Sequence, residues 1–299
     1  MKLQRQKQIS RRDFLKLTRV AMLDLVLLAV AGAAYGFFIE PGRFKIETVR
    51  LRLPRLSRRF SGIRVVQISD IHMGGWMNRE RLRRVADLVL AENPDVLLIT
   101  GDFLIGHEYV DISHQVVNDL IAELIPLASS VPTLAVLGNH DYWTNPEAVR
   151  HVLKAAGVRD LTNHVFTLQR ENENLHFCGV DDIWEGDVRL DAVIAQLSDE
   201  SAAILLAHEP DFADTSAATG RFDLQVSGHS HGGQVVLPLL GPPVLPYLGR
   251  KYSGGLYHVG TMFQYTSRGV GTAQLPVRLN CPPEITVFVL EGAAASTEA

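Results

Sequence analysis

Cysteine is almost missing from this chain, with Cys178 and Cys281 the only two among 299 residues. Two thiols make at most one bridge, which excludes a disulfide-stapled scaffold and a four-cysteine zinc site but leaves the redox compartment open. Long apolar sequence is also scarce. One run, residues 20–39, stands alone in a chain that is 46% hydrophobic and 21% charged, a balance that excludes both a multi-span membrane protein and a disordered one. No internal repeat occurs. Uniform charge of one sign is lacking too, because the net −4 averages two unlike segments. Residues 1–59 carry 14 of the 29 Lys and Arg and 4 of the 33 Asp and Glu, a balance of +10, so residues 60–299 stand at −14. A uniformly basic nucleic-acid binder is thereby excluded and no nucleic-acid polymer is expected as a partner, while the basic end needs its own explanation.

That end begins with Lys2, Arg5, Lys7, Arg11, Arg12, Lys16 and Arg19, followed by twenty residues that are apolar except for Asp24. As a helix the apolar run extends roughly 30 Å, about one hydrocarbon thickness, so residues 1–43 read as a signal or membrane anchor. Ser10-Arg11-Arg12-Asp13-Phe14-Leu15-Lys16 resembles a bacterial twin-arginine export signal, matching S-R-R-x-F-L-K at every specified position. The resemblance implies the twin-arginine export machinery as a partner and an outer-face or periplasmic location. The alternative is an ordinary inner-membrane anchor with the remainder facing the cytoplasm. Ala29-Val30-Ala31 and Ala31-Gly32-Ala33 suit signal peptidase, whereas the apolar run continuing to Ile39 favours an uncleaved anchor. Seven basic residues lie on each side of the run, so the positive-inside rule does not decide orientation.

Residues 44–292 read as one folded domain and 293–299 as a small, polar, fraying tail. Residues 44–53 form a first predicted strand. Short aliphatic runs follow at 63–69, 96–100, 133–137, 175–180, 202–207 and 224–227, most of them alternating with helical patterns at 79–90, 116–125 and 146–156. Buried strands alternating with helices predict an α/β layered domain whose ligands collect at the carboxyl ends of the strands. Residues 235–256 hold too much proline for a helix or central strand and predict an irregular apolar loop.

The strand ends carry the chemistry: Asp70-Ile71-His72, Gly101-Asp102, Gly138-Asn139-His140-Asp141, His208-Glu209 and Gly228-His229-Ser230-His231. Imidazole and carboxylate donors without thiolate suit Zn, Mn, Fe or similar divalent ions, and these clusters offer more donors than one ion can use, so two metals are expected. The ordered set D-x-H, G-D, G-N-H-[DE], a lone H after a strand, and G-H-x-H resembles the calcineurin-like metallophosphoesterase superfamily, over about residues 44–291.

The resemblance implies a four-layer α-β-β-α sandwich and a metal-dependent phosphoesterase, most simply a phosphodiesterase. Carried over by matched position, Asp70, His72 and His231 hold one divalent ion, Asn139, His208 and His229 hold a second, and Asp102 bridges them. A water so bridged reaches phosphorus as hydroxide in line, and His140 stabilises developing charge or protonates the leaving oxygen. Asp141 and Glu209 are expected to brace the loops. His107, His114, His151, His164, His176 and His258 match no motif and are read as surface or core residues, and Asp181 and Asp182 as turn carboxylates.

Within the superfamily the chain looks most like bacterial single-domain phosphoesterases with an N-terminal anchor or twin-arginine signal. The features are Leu205-Leu206-Ala207-His208-Glu209-Pro210-Asp211, the Gly228–Val235 stretch, and the closing Pro276-Val277-Arg278 and Cys281-Pro282-Pro283-Glu284-Ile285. Ser230 replaces the usual threonine. Some membrane-anchored relatives cleave UDP-2,3-diacylglucosamine, which is carried as an alternative; a phosphate-ester substrate is expected in either case, and a lipid-linked one fits the apolar loop. Arg250, Lys251 and Tyr252 at the end of that loop are candidates for contact with phosphates or headgroups. The alternative of a different class is a non-catalytic metal-binding scaffold on the same fold.

Overall fold

The computed structural model describes residues 10–106 and 112–292; the first nine residues, His107 and the 293–299 tail lie outside them. The aliphatic runs become strands of two six-stranded sheets. The first sheet holds β1 (Lys45–Leu53), β2 (Ile63–Ile68), β3 (Val96–Thr100), β4 (Thr133–Val136) and β5 (Arg159–Asp160). The second holds β6 (Val165–Arg170), β7 (Glu173–Gly179), β8 (Ala203–Leu206), β9 (Leu224–Ser227), β10 (Gly255–Val259) and β11 (Met262–Thr266), after which β12 (Glu284–Gly292) returns to the first. The orders are β1-β12-β2-β3-β4-β5 and β10-β11-β9-β8-β7-β6. β12 runs parallel to β1, from Lys45 opposite Glu284 to Leu53 opposite Gly292, and antiparallel to β2.

Alternate side chains of each central strand enter different layers. In β3, Leu97 and Ile99 face α2 (Arg79–Ala91), α3 (His114–Ser130) and α5 (Pro146–Ala156), whereas Val96 and Leu98 join the core shared by the two sheets. Both faces are dry, which is why the strand is a continuous apolar run rather than an alternating one. A third cluster, including Cys178, Val193, Leu205 and Phe212, packs α6 (Leu190–Ala195) and α7 (Ala213–Ala218) on the outside of the second sheet. The four layers are therefore helix, sheet, sheet, helix, as the resemblance implied.

Local sequence explains several boundaries. Asn145 caps α5 by accepting from the Ala148 N–H, Pro146 occupies the first turn, and Gly157 closes it with φ 78°. Periodicity alone ends the helix before Pro126, yet α3 continues through it to Ser130. Leu124 and Leu127 on either side of that proline are fully buried, and their packing outweighs the lost backbone hydrogen bond. The irregular loop runs as predicted from Val235, but Gly255 and Leu256 already belong to β10, because the last proline is Pro246 and the β10–β11 hairpin takes over the backbone hydrogen bonds.

A 28-residue helix, α1 (Arg11–Phe38), precedes the sheets. Ser10 caps it by accepting from the Asp13 N–H, so the paired arginines form its first turn. It is long and apolar enough to cross a membrane, and Gly36 is its only buried residue. α4 (Asn139–Thr144) is a short turn of helix directly after β4, and it opens the functional site.

Candidate metal centre

Every strand-end motif lies at the carboxyl end of its strand, and the two sheets bring those ends together. Asp70 and His72 follow β2, Asp102 follows β3, and Asn139 to Asp141 begin α4; across the interface His208 follows β8, and His229 and His231 follow β9. All seven expected ligands and His140 are buried. Asp70, His72, Asp102, His229 and His231 take positive φ, between 50° and 67°, a left-handed conformation that costs about 1–3 kcal/mol per non-glycine residue. Five such residues in one cavity mark a site whose geometry is held by its surroundings.

Glycine makes the approach possible. A side chain on Gly138 would strike Asp102 and the ring of His208, and one on Gly101, at φ 92°, would lie 2.5 Å from His208 Nδ1. The bare backbone at these two turns therefore lets an imidazole from one sheet reach a carboxylate of the other.

Asp70, His72, Asp102 and His231 each offer a ligand atom, all within 4.8 Å of one another. His72 Nε2 lies 2.9 Å from His231 Nε2, and His231 Nε2 lies 3.3 Å from Asp70 Oδ1. Alongside, His208 Nδ1 donates to the Thr100 carbonyl at 2.6 Å, which turns Nε2 toward Asp102 Oδ2 at 3.2 Å. His229 Nε2 donates to the Tyr247 carbonyl at 2.7 Å and turns Nδ1 toward the Asn139 carboxamide oxygen at 2.9 Å. In their neutral tautomers these are lone pairs facing lone pairs. His208 Nε2 and Asp70 Oδ2 are buried without a hydrogen-bond partner. Lone pairs converging in this way fit divalent cations, and the donor set contains only the nitrogen and oxygen atoms such ions take.

The protonation of the cluster follows from burial. Burial, with His140 next to it, pushes His72 down to about 3, and burial, with the His208 charge, takes His229 down to about 3, so both rings are neutral. Burial also pushes Asp70 up to about 6. Burial would drive His208 down, but the Asp102 carboxylate outweighs it and holds the ring well above its ordinary value. A proton there stands where a metal charge would replace it.

The surrounding residues fix this geometry. Asp141 accepts the N–H groups of Asp102, Phe103, Leu104 and Gly138, so it braces the ligand loops as expected. Glu209 accepts from the Ile183 N–H at 3.0 Å, and Asp182 accepts from the N–H groups of Trp184 and Glu185. Asp181 accepts from the N–H groups of Asp182 and Asp187, so both acids act as turn carboxylates, and it also accepts from the Tyr142 hydroxyl. His140 donates Nδ1–H to the Gly106 carbonyl at 2.7 Å, and its ring packs edge-on against His72 with centroids 4.7 Å apart.

Of the three residues at the end of the apolar loop, two turn elsewhere. Lys251 pairs with Asp214, and the Tyr252 hydroxyl donates to the same carboxylate at 2.8 Å while its ring joins the outer core of the second sheet. Arg250 is exposed, and its backbone N–H is held by Asp211. None of the three makes a contact with the ligand cluster among the described hydrogen bonds and ion pairs, because Asp211 and Asp214 draw this segment to α7.

Sequence reading missed an aromatic wall. Trp143 packs on His140 at 4.7 Å, Trp184 on Trp143 at 5.4 Å, and Trp184 reaches both His229 at 6.2 Å and Tyr247 at 5.4 Å. The three come from α4, the β7–α6 connection and the apolar loop, so no local pattern joins them. Arg278 was missed as a site residue as well: fully buried, it donates to the carbonyls of Arg268, Gly269, Gly271 and Cys281 and lies 3.5 Å from His231 Nδ1. A separate cleft of about 340 Å³ opens beyond Gly232, between Arg268, Glu284 and Val236; its arginine is already paired with Glu47 and Glu284, and the metal ligands do not face it.

Comparison with known proteins agrees with this geometry. Residues 63–233 match the model of the calcineurin-like phosphoesterase family. An uncharacterized metallophosphoesterase of Bacillus subtilis, YkuE, is 32% identical, with 95% of this chain and 99% of that protein aligned. The phosphodiesterase YaeI of Escherichia coli is 30% identical over 94% of this chain and 99% of its own length. A transmembrane protein with a metallophosphoesterase domain from Danio rerio is 31% identical, over 92% of this chain and 63% of that protein. Among solved structures, a dimetal phosphatase from Danio rerio aligns with a TM-score of 0.47 at 15% identity, covering 70% of this chain and 88% of the other. Converging ligands, the family match over residues 63–233 and similarity over nearly the whole length of two relatives make this chain a member of the calcineurin-like phosphoesterase family, and a metal-dependent phosphoester hydrolase.

Proposed function

We propose that the chain is a phosphodiesterase working with two divalent cations, Mn, Fe or Zn. Asp70, His72 and His231 would hold one, Asn139, His208 and His229 the other, and Asp102 would touch both. The observation that carries this reading is the pair of facing donors, His208 Nε2 with Asp102 Oδ2 and His229 Nδ1 with Asn139 Oδ1, beside the four-residue cluster. Bound cations supply Lewis-acid charge to the phosphoryl oxygens and an activated water. His140 moves a proton at Nε2 toward the leaving oxygen, with its Nδ1 anchored on Gly106. Trp143, Trp184 and Tyr247 flank the reacting phosphate with an apolar surface that excludes water and receives one ester group. The full ligand set supports catalysis over a scaffold role, and the comparisons lend no support to the UDP-diacylglucosamine alternative.

The test is hydrolysis of bis(p-nitrophenyl) phosphate with added Mn²⁺ by the wild type and by Asp102→Ala and His140→Ala, together with metal analysis. Turnover is expected only with metal, and a drop of roughly 10³-fold or more is expected for Asp102→Ala, equivalent to several kcal/mol of lost transition-state stabilisation. Turnover without metal, or none in any form, overturns the reading.

For location we propose a membrane anchor exported by the twin-arginine route. The support is α1 itself and the Ser10 to Lys16 motif across its N-cap and first two turns. Fractionation of cells with and without the twin-arginine translocase tests it: accumulation on the cytoplasmic side is expected only when the translocase is missing. Cytoplasmic exposure in both strains would instead favour the ordinary anchor facing the cytoplasm, and unchanged outer-face exposure without the translocase would overturn the twin-arginine route.

A further inference from the structure

We propose that the tip of the apolar loop, residues 238–244, is a second membrane contact, seated in the same bilayer as α1. Leu239 is wholly exposed, and Leu240 and Val244 are 81% and 74% exposed, a concentration of large apolar surface that the domain has not covered. Residues 234–249 contain no Asp, Glu, Lys or Arg, and neither do 271–277, whose Leu275 is also exposed.

The occupant follows from where this surface is attached. The carbonyl of Gly36, in the last turn of α1, accepts the Arg278 N–H at 2.9 Å, and a side chain at Gly36 would lie 3.0 Å from the Arg278 carbonyl. Glu40, buried just after the helix, accepts from the N–H groups of Asn280 and Cys281. The next residue on that strip, Leu279, exchanges hydrogen bonds with the loop: its carbonyl accepts from Val236 N–H at 2.8 Å and its N–H donates to Gln234. Asn280 adds a bond to the Val236 carbonyl. Helix end, 278–280 strip and loop base are thus three neighbouring strips of backbone. The tip is a tight turn closed by mutual hydrogen bonds between Leu237 and Gly241. Leu240 is therefore no farther than about 14 Å of chain from Val236.

A bilayer that takes α1 meets the tip at its surface, and Phe38, 86% exposed and two residues beyond the Gly36 attachment, adds apolar surface at that end of the helix. Beyond the tip the loop reaches Tyr247, whose carbonyl holds His229. The contact therefore sets the ligand-bearing turn beside the headgroups. It stands whether or not the metal assignment does, since it uses none of the ligands.

The experiment uses the full chain in phosphatidylcholine–phosphatidylglycerol vesicles. Leu240→Cys and, at the opposite edge of the second sheet, Asn172→Cys are labelled with an environment-sensitive fluorophore; the native Cys178 and Cys281 are buried. Nitroxide lipids are expected to quench the label at position 240 several-fold more than at 172, with position 240 protected from aqueous iodide. Equal quenching at the two positions overturns the proposal. Protection from iodide without lipid quenching overturns it too, in favour of a second copy of the chain covering the tip.

Discussion

Asp141 Oδ2 accepts the backbone N–H of Asp102 at 3.0 Å, so one buried acid holds the loop that presents another. Asp141 spends its oxygens on four N–H donors, whereas Asp102 points toward the imidazoles. Burial and the Asp102 charge push Asp141 up to about 8, and a divalent charge held by Asp102 would relieve part of that rise.

Asp141→Asn keeps the shape but replaces one accepting oxygen with a donor aimed at N–H groups. The expected cost is about 1–3 kcal/mol of stability, read as a lowered Tm, together with roughly 10–100-fold weaker metal binding. A loss of kcat with Tm and metal affinity unchanged would assign Asp141 to the substrate instead.

His140→Ala should lower kcat by about 10²–10⁴ and leave metal content unchanged, because its anchor is the Gly106 carbonyl and its proposed part is proton movement. Inductively coupled plasma analysis beside steady-state kinetics separates the two. Metal loss in parallel with activity would make it a structural support.

Loading the apoprotein with Mn²⁺ should release a proton near neutral pH, since Asp102 keeps His208 protonated until a cation replaces that charge. Calorimetric titration in buffers of different ionisation enthalpy measures the number released, and His208→Ala should reduce it. The same loading should raise Tm, by an amount equivalent to about 2.7 kcal/mol at a hundredfold excess over Kd.

Far from the centre, Asp199 receives hydrogen bonds from His176, Asn174 and Ser201. Slight burial would raise it, but these bonds outweigh that and hold its carboxyl well below the ordinary range. A depressed carboxyl contributes stability above its unfolded pKa, about 3.9, and loses that contribution as pH falls toward the folded value. Asp199→Asn should therefore melt below the wild type at pH 7, with the gap narrowing below about pH 4 in thermal unfolding. A gap independent of pH would assign the effect to packing.

Among the described residues, seven of the twelve strands, most of the helices and the polar turns that end those strands were legible in the sequence because each is a local matter, whereas β5, β6 and β10 to β12 were not. A buried strand must be an apolar run, and the turn that ends it must be polar, so Asp70, Asp102, His208 and His229 stand out where a run stops. The same local logic failed at Pro126, where side chains distant in sequence supply the packing that carries the helix through.

What only the tertiary structure decided is which groups meet across the two sheets. Nothing in the order of residues places His208 Nε2 against Asp102, gathers Trp143, Trp184 and Tyr247 into one wall, turns Lys251 to Asp214, or seats the end of α1 on Arg278. Periodicity and turn chemistry report the face a residue presents and the bend beside it. The partner on that face is set by sheet order and by close backbone approach at Gly101 and Gly138, which the chain acquires only when both sheets have packed.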